Sequence, residues 1–292
     1  MRFAGLFGRA VVRKEEFAQW ALQSPGVDAV HDYHVLRASW TYLQSGRRKI
    51  LDISTEPGPW LSTLQRFCGH RHELWGCRQG GVGEMKPGPG GATLMPAEFD
   101  VWSPLENREA PHALAERGFT VVTARNVVDH MYHPDPLFRV LADVMPPRGV
   151  LLVSASNVAC LGNVVGLLRG GGVAGDLNAL IGRYDATRAR PRVRAYCWQE
   201  LNRSAMSAGF APVGHQFYHD PAAAPAPSEW DQPTRRAIEP FQRERGQLQS
   251  EMILIFRKAG PVSVRLLRAR RRVYPLLREA HAKYKSVRRR FK

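Results

Sequence analysis

Cysteine is scarce and scattered: the four thiols, Cys68, Cys77, Cys160 and Cys197, form no CxxC pair and have no histidine at ligand spacing. This argues against a structural zinc site and against a disulfide-stapled secreted domain, and it suits a reducing compartment. No metal is expected. No secretory leader is expected either, because Arg9 interrupts MRFAGLFGRAVVRKEEF before an apolar core could form. The charge-free run 150–168 is long enough to test as a membrane span. Ser154, Ser156, Asn157, Gly162, Asn163 and Gly166 divide it instead into a strand, a turn and a short helix. Acids are scarcest near the end. Residues 259–292 hold twelve Lys/Arg and one acid, Glu279, a net of +11, which leaves +5 of the chain's +16 for residues 1–258.

What is present describes a folded α/β chain. Of the 292 residues, 44% are hydrophobic and 23% charged, ordinary globular proportions that support a sizeable core. Apolar positions at helical spacing predict helices over 9–23, 28–44, 60–68, 136–144 and 198–208, with Ser24-Pro25-Gly26 and Pro146-Pro147 as stops. Short apolar runs at 49–54, 72–77, 119–124, 150–155, 210–218 and 251–257 read as strands, and 98–102 as a further short one. Eight glycines or prolines in 79–93 make that stretch a loop. Alternating strands and helices call for a mostly parallel sheet covered on both faces. The last two strands lack a long apolar helix between them, which suggests an antiparallel strand at one edge.

In that order the motifs resemble those of the class I S-adenosylmethionine-dependent methyltransferases, of the broad group found in bacterial glycan and small-molecule pathways. Asp52-Ile53-Ser54-Thr55-Glu56-Pro57-Gly58 stands where the family carries Asp-x-Gly-x-Gly-x-Gly after its first strand. VVTARNVVDH (121–130) is similar to the fourth strand and its acid–His pair, and MPPRG (145–149) to the turn before the fifth strand. Ser156-Asn157, then Arg192–Tyr196, Glu200-Leu201 and Ala208-Gly209-Phe210, resemble later motifs, so the likeness spans about 50–257. The resemblance implies a Rossmann-like methyltransferase sheet with helices on both faces and S-adenosylmethionine as cofactor. It divides the chain into an N-terminal helical segment (1–46), a methyltransferase-like domain (47–258) with a lid or acceptor region at 157–197 and an insertion at 219–248, and a basic C-terminal helix (259–292).

The same resemblance points to cofactor contacts at Asp52, Ser54, Glu56, Gly58, Arg78, Asp100 and Asn126. Three of these depart from the pattern. Glycines are needed after the first strand because a Cβ obstructs the cofactor's close approach, yet Ser54 and Glu56 replace two of them. The second strand should end in an acid that accepts from both ribose hydroxyls, and Arg78 can only donate. Asp129-His130 follows the fourth strand, at the edge where open α/β sheets bind ligands. His130 is the candidate base for methyl transfer to a hydroxyl, or it packs the following helix; Asp129 orients the ring or caps the helix. Arg188, Arg190, Arg192 and Arg194 precede Tyr196, a segment that closes over the acceptor in the family. Arginine forks suit an anionic acceptor such as a nucleotide sugar or acidic glycan, so Arg192, Arg194 and Tyr196 are candidate acceptor contacts.

The C-terminal tail is a separate element. Val273, Leu277, Ala280, Tyr284, Val287 and Phe291 step by three or four residues and make one apolar stripe flanked by Arg and Lys. Such a helix suits an anionic membrane surface or a partner protein, or else docks on its own domain. Nucleic acid is disfavoured, since no recognition module precedes it. The expectation is a cytoplasmic enzyme, peripheral at the inner membrane face, that methylates an oxygen of a glycan or other anionic metabolite. The alternative is a catalytically degenerate member of the fold that serves as a binding or scaffold subunit.

Overall fold

In the computed structural model, the described residues are 12–54, 57–78, 93–94, 116–131, 133–168, 194–220, 236, 240 and 245–260. Six helices among them are α1 (Lys14–Leu22), α2 (His31–Leu43), α3 (Pro57–Cys68), α4 (Asp135–Val144), α5 (Leu161–Leu168) and α6 (Trp198–Ser207). The strands are β1 (Lys49–Ser54), β2 (Glu73–Arg78), β3 (Thr93–Leu94), β4 (Val121–Arg125), β5 (Val150–Ser156), β6 (Phe210–Tyr218) and β7 (Glu251–Lys258).

They form one sheet in the order β3-β2-β1-β4-β5-β7-β6. All pairings from β3 to β5 are parallel, and β7 runs antiparallel to both β5 and β6. The chain winds outward through β2 and β3, then returns to build β4 and β5 on the other side of β1. That reversal opens a crevice outside the carboxyl ends of β1 and β4.

The strands read as unbroken apolar runs because helices cover both faces. Leu51, Ile53, Val122, Ala124, Leu151, Val153, Leu254 and Phe256 point to one face, where Phe138 and Leu141 of α4 and Leu201 and Ala205 of α6 cover them. The alternate residues Ile50, Val121, Val150, Leu152, Ile253 and Ile255 point to the other, beneath α1, α2 and α3. Phe17, Val35, Leu36, Trp60 and Leu64 are the large side chains of that layer. Helices α1 and α2 thus cover one face of the sheet together with α3.

Other differences are local. The third strand lies at Thr93–Leu94, overlapping the end of the stretch read as loop, and 98–102 is outside the described residues. In the turn before β5, Arg148 adopts φ +68, a conformation that glycine takes more readily. The next residue, Gly149, is tightly packed. A Cβ on Gly149 would come within 3.0 Å of the Pro146 carbonyl oxygen.

Candidate functional site

The crevice is built from the carboxyl ends of β1, β4 and β5, the N-terminus of α3 and the first turn of α2. Its centre is a buried ion cluster. Arg125, the last residue of β4, donates from Nε to Asp52 Oδ1 (3.0 Å) and from Nη2 to Asp52 Oδ2 (3.1 Å). Its Nη1 donates to Asp32 Oδ1 on α2 (2.8 Å), and Nη2 also reaches Ser54 Oγ (3.1 Å). Thr123 and Ser54 donate their hydroxyl protons to Asp52 at 2.6 and 2.8 Å. The Arg125 guanidinium also lies 5.3 Å from the centre of the Trp60 ring.

Every member is desolvated; the side chains of Asp32, Asp52 and Arg125 are 1%, 0% and 9% exposed. Burial pushes the Asp32 carboxyl up, but Arg125 and the hydrogen bond from His31 outweigh it and hold the group below the usual carboxylate range. Burial likewise opposes charge on Arg125, and Asp52 and Asp32 together reverse that.

Beside this cluster, His31 spans from α2 to β5. Its Nδ1 lies 3.3 Å from Asp32 Oδ1 and its Nε2 2.9 Å from Ser154 Oγ. Ser154 in turn donates to Asn126 Oδ1 and accepts from the Asn126 backbone N–H. Asn126 has φ +54, so the chain leaves β4 through a left-handed residue held by its own side chain.

Three expected site residues make contacts within the protein. The Asp52 carboxylate accepts from Arg125, Thr123 and Ser54. The Ser54 hydroxyl is turned inward on the same cluster. Tyr196 is fully buried with its hydroxyl donated to the Met131 carbonyl, so it clamps two segments together.

That clamp joins the two halves of the expected acceptor side. The Arg194 backbone N–H donates to the Asp129 carbonyl (3.2 Å), and Tyr196 pairs with Asn157 at the end of β5. Asp129 and His130 are both buried in the 3-10 turn Val128–His130. Asp129 caps neither this turn nor α4, since neither N-terminus has a side-chain cap. Its carboxylate accepts from the Ser156 backbone N–H (3.1 and 3.2 Å) and hydroxyl (2.9 Å), and that hydroxyl also lies 3.2 Å from Glu251 Oε1. Arg194 Nη2 meets both Glu200 oxygens at 2.7 and 2.8 Å, and its guanidinium stacks on Tyr196, so its charge is matched within the fold.

Glu56, Asp100 and Arg192 lie outside the described residues, as do the Arg78 side chain and the tail beyond 260. Among the described residues, nothing lies within 4 Å of a Cβ built on Gly58, in the first turn of the twelve-residue helix α3. The leading N–H groups of that helix lack intrahelical acceptors. An open approach onto a helix N-terminus fits the carboxylate end of S-adenosylmethionine. Among the described residues no group of three or more His, Cys, Asp or Glu is arranged to hold a metal, and no helix is long and apolar enough to cross a membrane.

His31, Asp32, Thr123, Arg125 and Ser154 were missed from sequence. One signal was available: Arg125 ends an otherwise apolar strand, and a charge in such a run requires a partner. Nothing local names Asp32 as that partner, 93 residues away.

The chain matches no protein-family model and no curated protein sequence. Among solved structures it is similar to a SAM-dependent methyltransferase from Archaeoglobus fulgidus, at 14% identity over 82% of this chain and 98% of that one, with a TM-score of 0.50. A putative methyltransferase bound to the Trm112 activator from Haloferax volcanii matches at 14% identity, 84% and 98% coverage and 0.47. A putative methyltransferase from Bacillus halodurans matches at 14%, 77% and 99%, and 0.46. The sheet order and its antiparallel β7 thus share the Rossmann-like fold of the Archaeoglobus fulgidus structure.

Proposed function

We propose that this chain transfers a methyl group from S-adenosylmethionine to an oxygen of a glycan or another anionic metabolite. The observation that carries the reading is the junction between the Asp129–His130 turn and the Arg194–Tyr196 segment at the carboxyl edge of the sheet. It supports the reading because the candidate base and the candidate acceptor-closing segment are neighbours.

When bound, the cofactor supplies an electrophilic methyl group on a sulfonium. The chain's own residues have three tasks. The N-terminus of α3 and Gly58 receive the carboxylate end, with Asn126 lining the exit of β4. The Asp52–Arg125–Asp32 cluster fixes β1, β4 and α2 against one another, so the wall of the crevice does not shift when a ligand enters. His130 takes the proton of the acceptor hydroxyl, a task to which imidazole is suited near neutral pH. Asp129, tied to Ser156, holds that turn against β5.

Arg192, with the neighbouring Arg188 and Arg190, is the proposed grip on an anionic acceptor, since Arg194 is committed to Glu200. The tail at 259–292 is proposed to hold the protein at an anionic membrane surface or to a partner protein, which would make it a peripheral protein of the cytoplasmic face.

A second reading has its own support. With Asp52 consumed by Arg125 and with Ser54 and Glu56 in place of glycines, the chain serves as a non-catalytic binding or scaffold subunit. Isothermal titration with S-adenosylmethionine and S-adenosylhomocysteine separates the two. Binding in the micromolar range supports the enzyme. No heat from either up to millimolar concentration refutes it and leaves the scaffold reading.

A further inference from the structure

The cations at the two ends of the sheet are used differently. At the carboxyl end, Arg125 and Arg194 are each tied to carboxylates of the fold. At the amino end, five neighbouring strands, in the order β2-β1-β4-β5-β7, each carry an exposed arginine: Arg71, Arg47, Arg117, Arg148 and Arg257. None of the five makes an ion pair among the described residues. They stand on one rim, because backbone hydrogen bonds lace its loops together. Glu73 N–H donates to the Arg48 carbonyl (2.9 Å), Thr120 to Lys49 (3.0 Å), Val150 to Thr120 (2.9 Å) and Arg148 to Lys258 (3.0 Å). At the usual strand spacing the row spans about 20 Å. Glu73, Glu116 and Asp143 oppose it, but Glu73 is engaged by Lys49 and Trp75. A lone surface arginine is ordinary. This row, however, continues into the most basic stretch of the chain: β7 ends on the rim at Lys258, and 259–292 follow with twelve Lys/Arg and one acid.

We infer that the amino rim of the sheet is a docking surface for an anionic lipid bilayer, acting together with the tail. The inference rests on the membrane reading of the tail given above. Charge alone would suit nucleic acid equally well. The apolar stripe from Val273 to Phe291 decides for lipid, since a bilayer offers it an acyl boundary to enter and a nucleic acid does not. Stable attachment to a bilayer takes two weak signals, and the rim supplies the second. The placement has a consequence for the reaction. The crevice lies outside the carboxyl ends of β1 and β4, across a strand of six residues and so about 20 Å from the rim. A domain seated on its rim turns the crevice toward water, and its acceptor is a water-soluble molecule, not a membrane lipid.

The test is sedimentation of the full chain with phosphatidylcholine vesicles, with and without phosphatidylglycerol, at low salt. A rim variant combines Arg47→Gln, Arg71→Gln and Arg148→Gln. A control combines Arg37→Gln, Arg139→Gln and Arg203→Gln, which removes the same charge from exposed positions midway along α2, α4 and α6. The rim variant should bind the anionic vesicles about thirtyfold more weakly or worse, and the control within about threefold of the wild type. Equal loss in both means that net charge alone attracts the protein, and overturns the proposal. A rim variant that binds like the wild type, while the 1–259 truncation does not bind, leaves the tail as the sole anchor and also overturns it. Should the rim variant fail to fold, hydrogen exchange in the wild type reads the same contact: anionic vesicles should slow exchange at 69–72 and 145–149, and slowing at 126–131 instead refutes the orientation. If the wild-type chain ignores the vesicles, the membrane reading of the tail fails and the rim fails with it. Binding to short duplex DNA in that case, lost in the rim variant, reassigns the surface to nucleic acid.

Discussion

Replacing Arg125 with methionine tests the energetic role of the ion cluster most directly. Methionine approximates the length of the side chain and removes its charge. Four hydrogen bonds are lost, to Asp52 Oδ1, Asp52 Oδ2, Asp32 Oδ1 and Ser54 Oγ. The larger cost is what remains: two desolvated carboxylates with no guanidinium between them. Breaking a buried pair by removing one partner costs about 3–5 kcal/mol. For a chain of this size that corresponds to a melting temperature lower by roughly 6–20 °C.

The pH dependence should also change sign. In the wild type Asp32 is held below its unfolded value, so its stabilisation is complete above that value and is lost as acid titrates it through the folded one, in the region below about pH 4. In Arg125→Met the Asp32 carboxyl loses the guanidinium that outweighed its burial, so stability should instead fall as pH rises from about 4 to about 7. Urea or thermal unfolding followed by circular dichroism at about pH 3, 4.5 and 7 reads both effects. Adding Asp32→Asn and Asp52→Asn to Arg125→Met should recover most of the loss, because a neutral cluster has no charge to desolvate. A variant that melts within about 2 °C of the wild type, with the same pH slope, would show that the cluster contributes little.

The remaining predictions concern separate parts of the site. Glu56→Gly should tighten S-adenosylmethionine binding by about tenfold, read by calorimetry, and equal or weaker affinity would mean that Glu56 is tolerated or used. Tyr196→Phe should destabilise by about 1–2 kcal/mol in denaturant unfolding through the orphaned Met131 carbonyl, with no change if the hydroxyl is idle. Once an acceptor is in hand, His130→Ala should lower turnover by roughly a hundredfold at unchanged cofactor affinity, and undiminished turnover eliminates it as base. Truncation to 1–259 should preserve the melting transition and abolish salt-sensitive binding to anionic vesicles, each basic residue contributing about 1 kcal/mol near such a surface. Equal sedimentation of both forms with the vesicles refutes that role for the tail.

Local sequence determined the elements and their order. The strands at 49–54 and 210–218 have the predicted bounds, and most of the others differ by one or two residues, because apolar runs and their Pro/Gly stops act over short distances. The Asp129-His130 turn and the Arg194–Tyr196 segment were likewise legible as motifs, each within a few residues.

What the tertiary structure decided is which side chains are spent on one another. Asp52 and Ser54 looked like cofactor contacts because their partner Arg125 lies more than 70 residues away, at the end of a strand that β1 pairs with only in the folded sheet. Tyr196 looked like an acceptor contact until its hydroxyl was found on Met131. Asp32 gave no sign at all, being one acid in the first turn of an amphipathic helix, where acids are ordinary. Period and composition report how a residue suits its own element. They are silent about a charge supplied by another element, and a buried ion cluster consists of such charges, brought together only when α2 closes on the edge of β4.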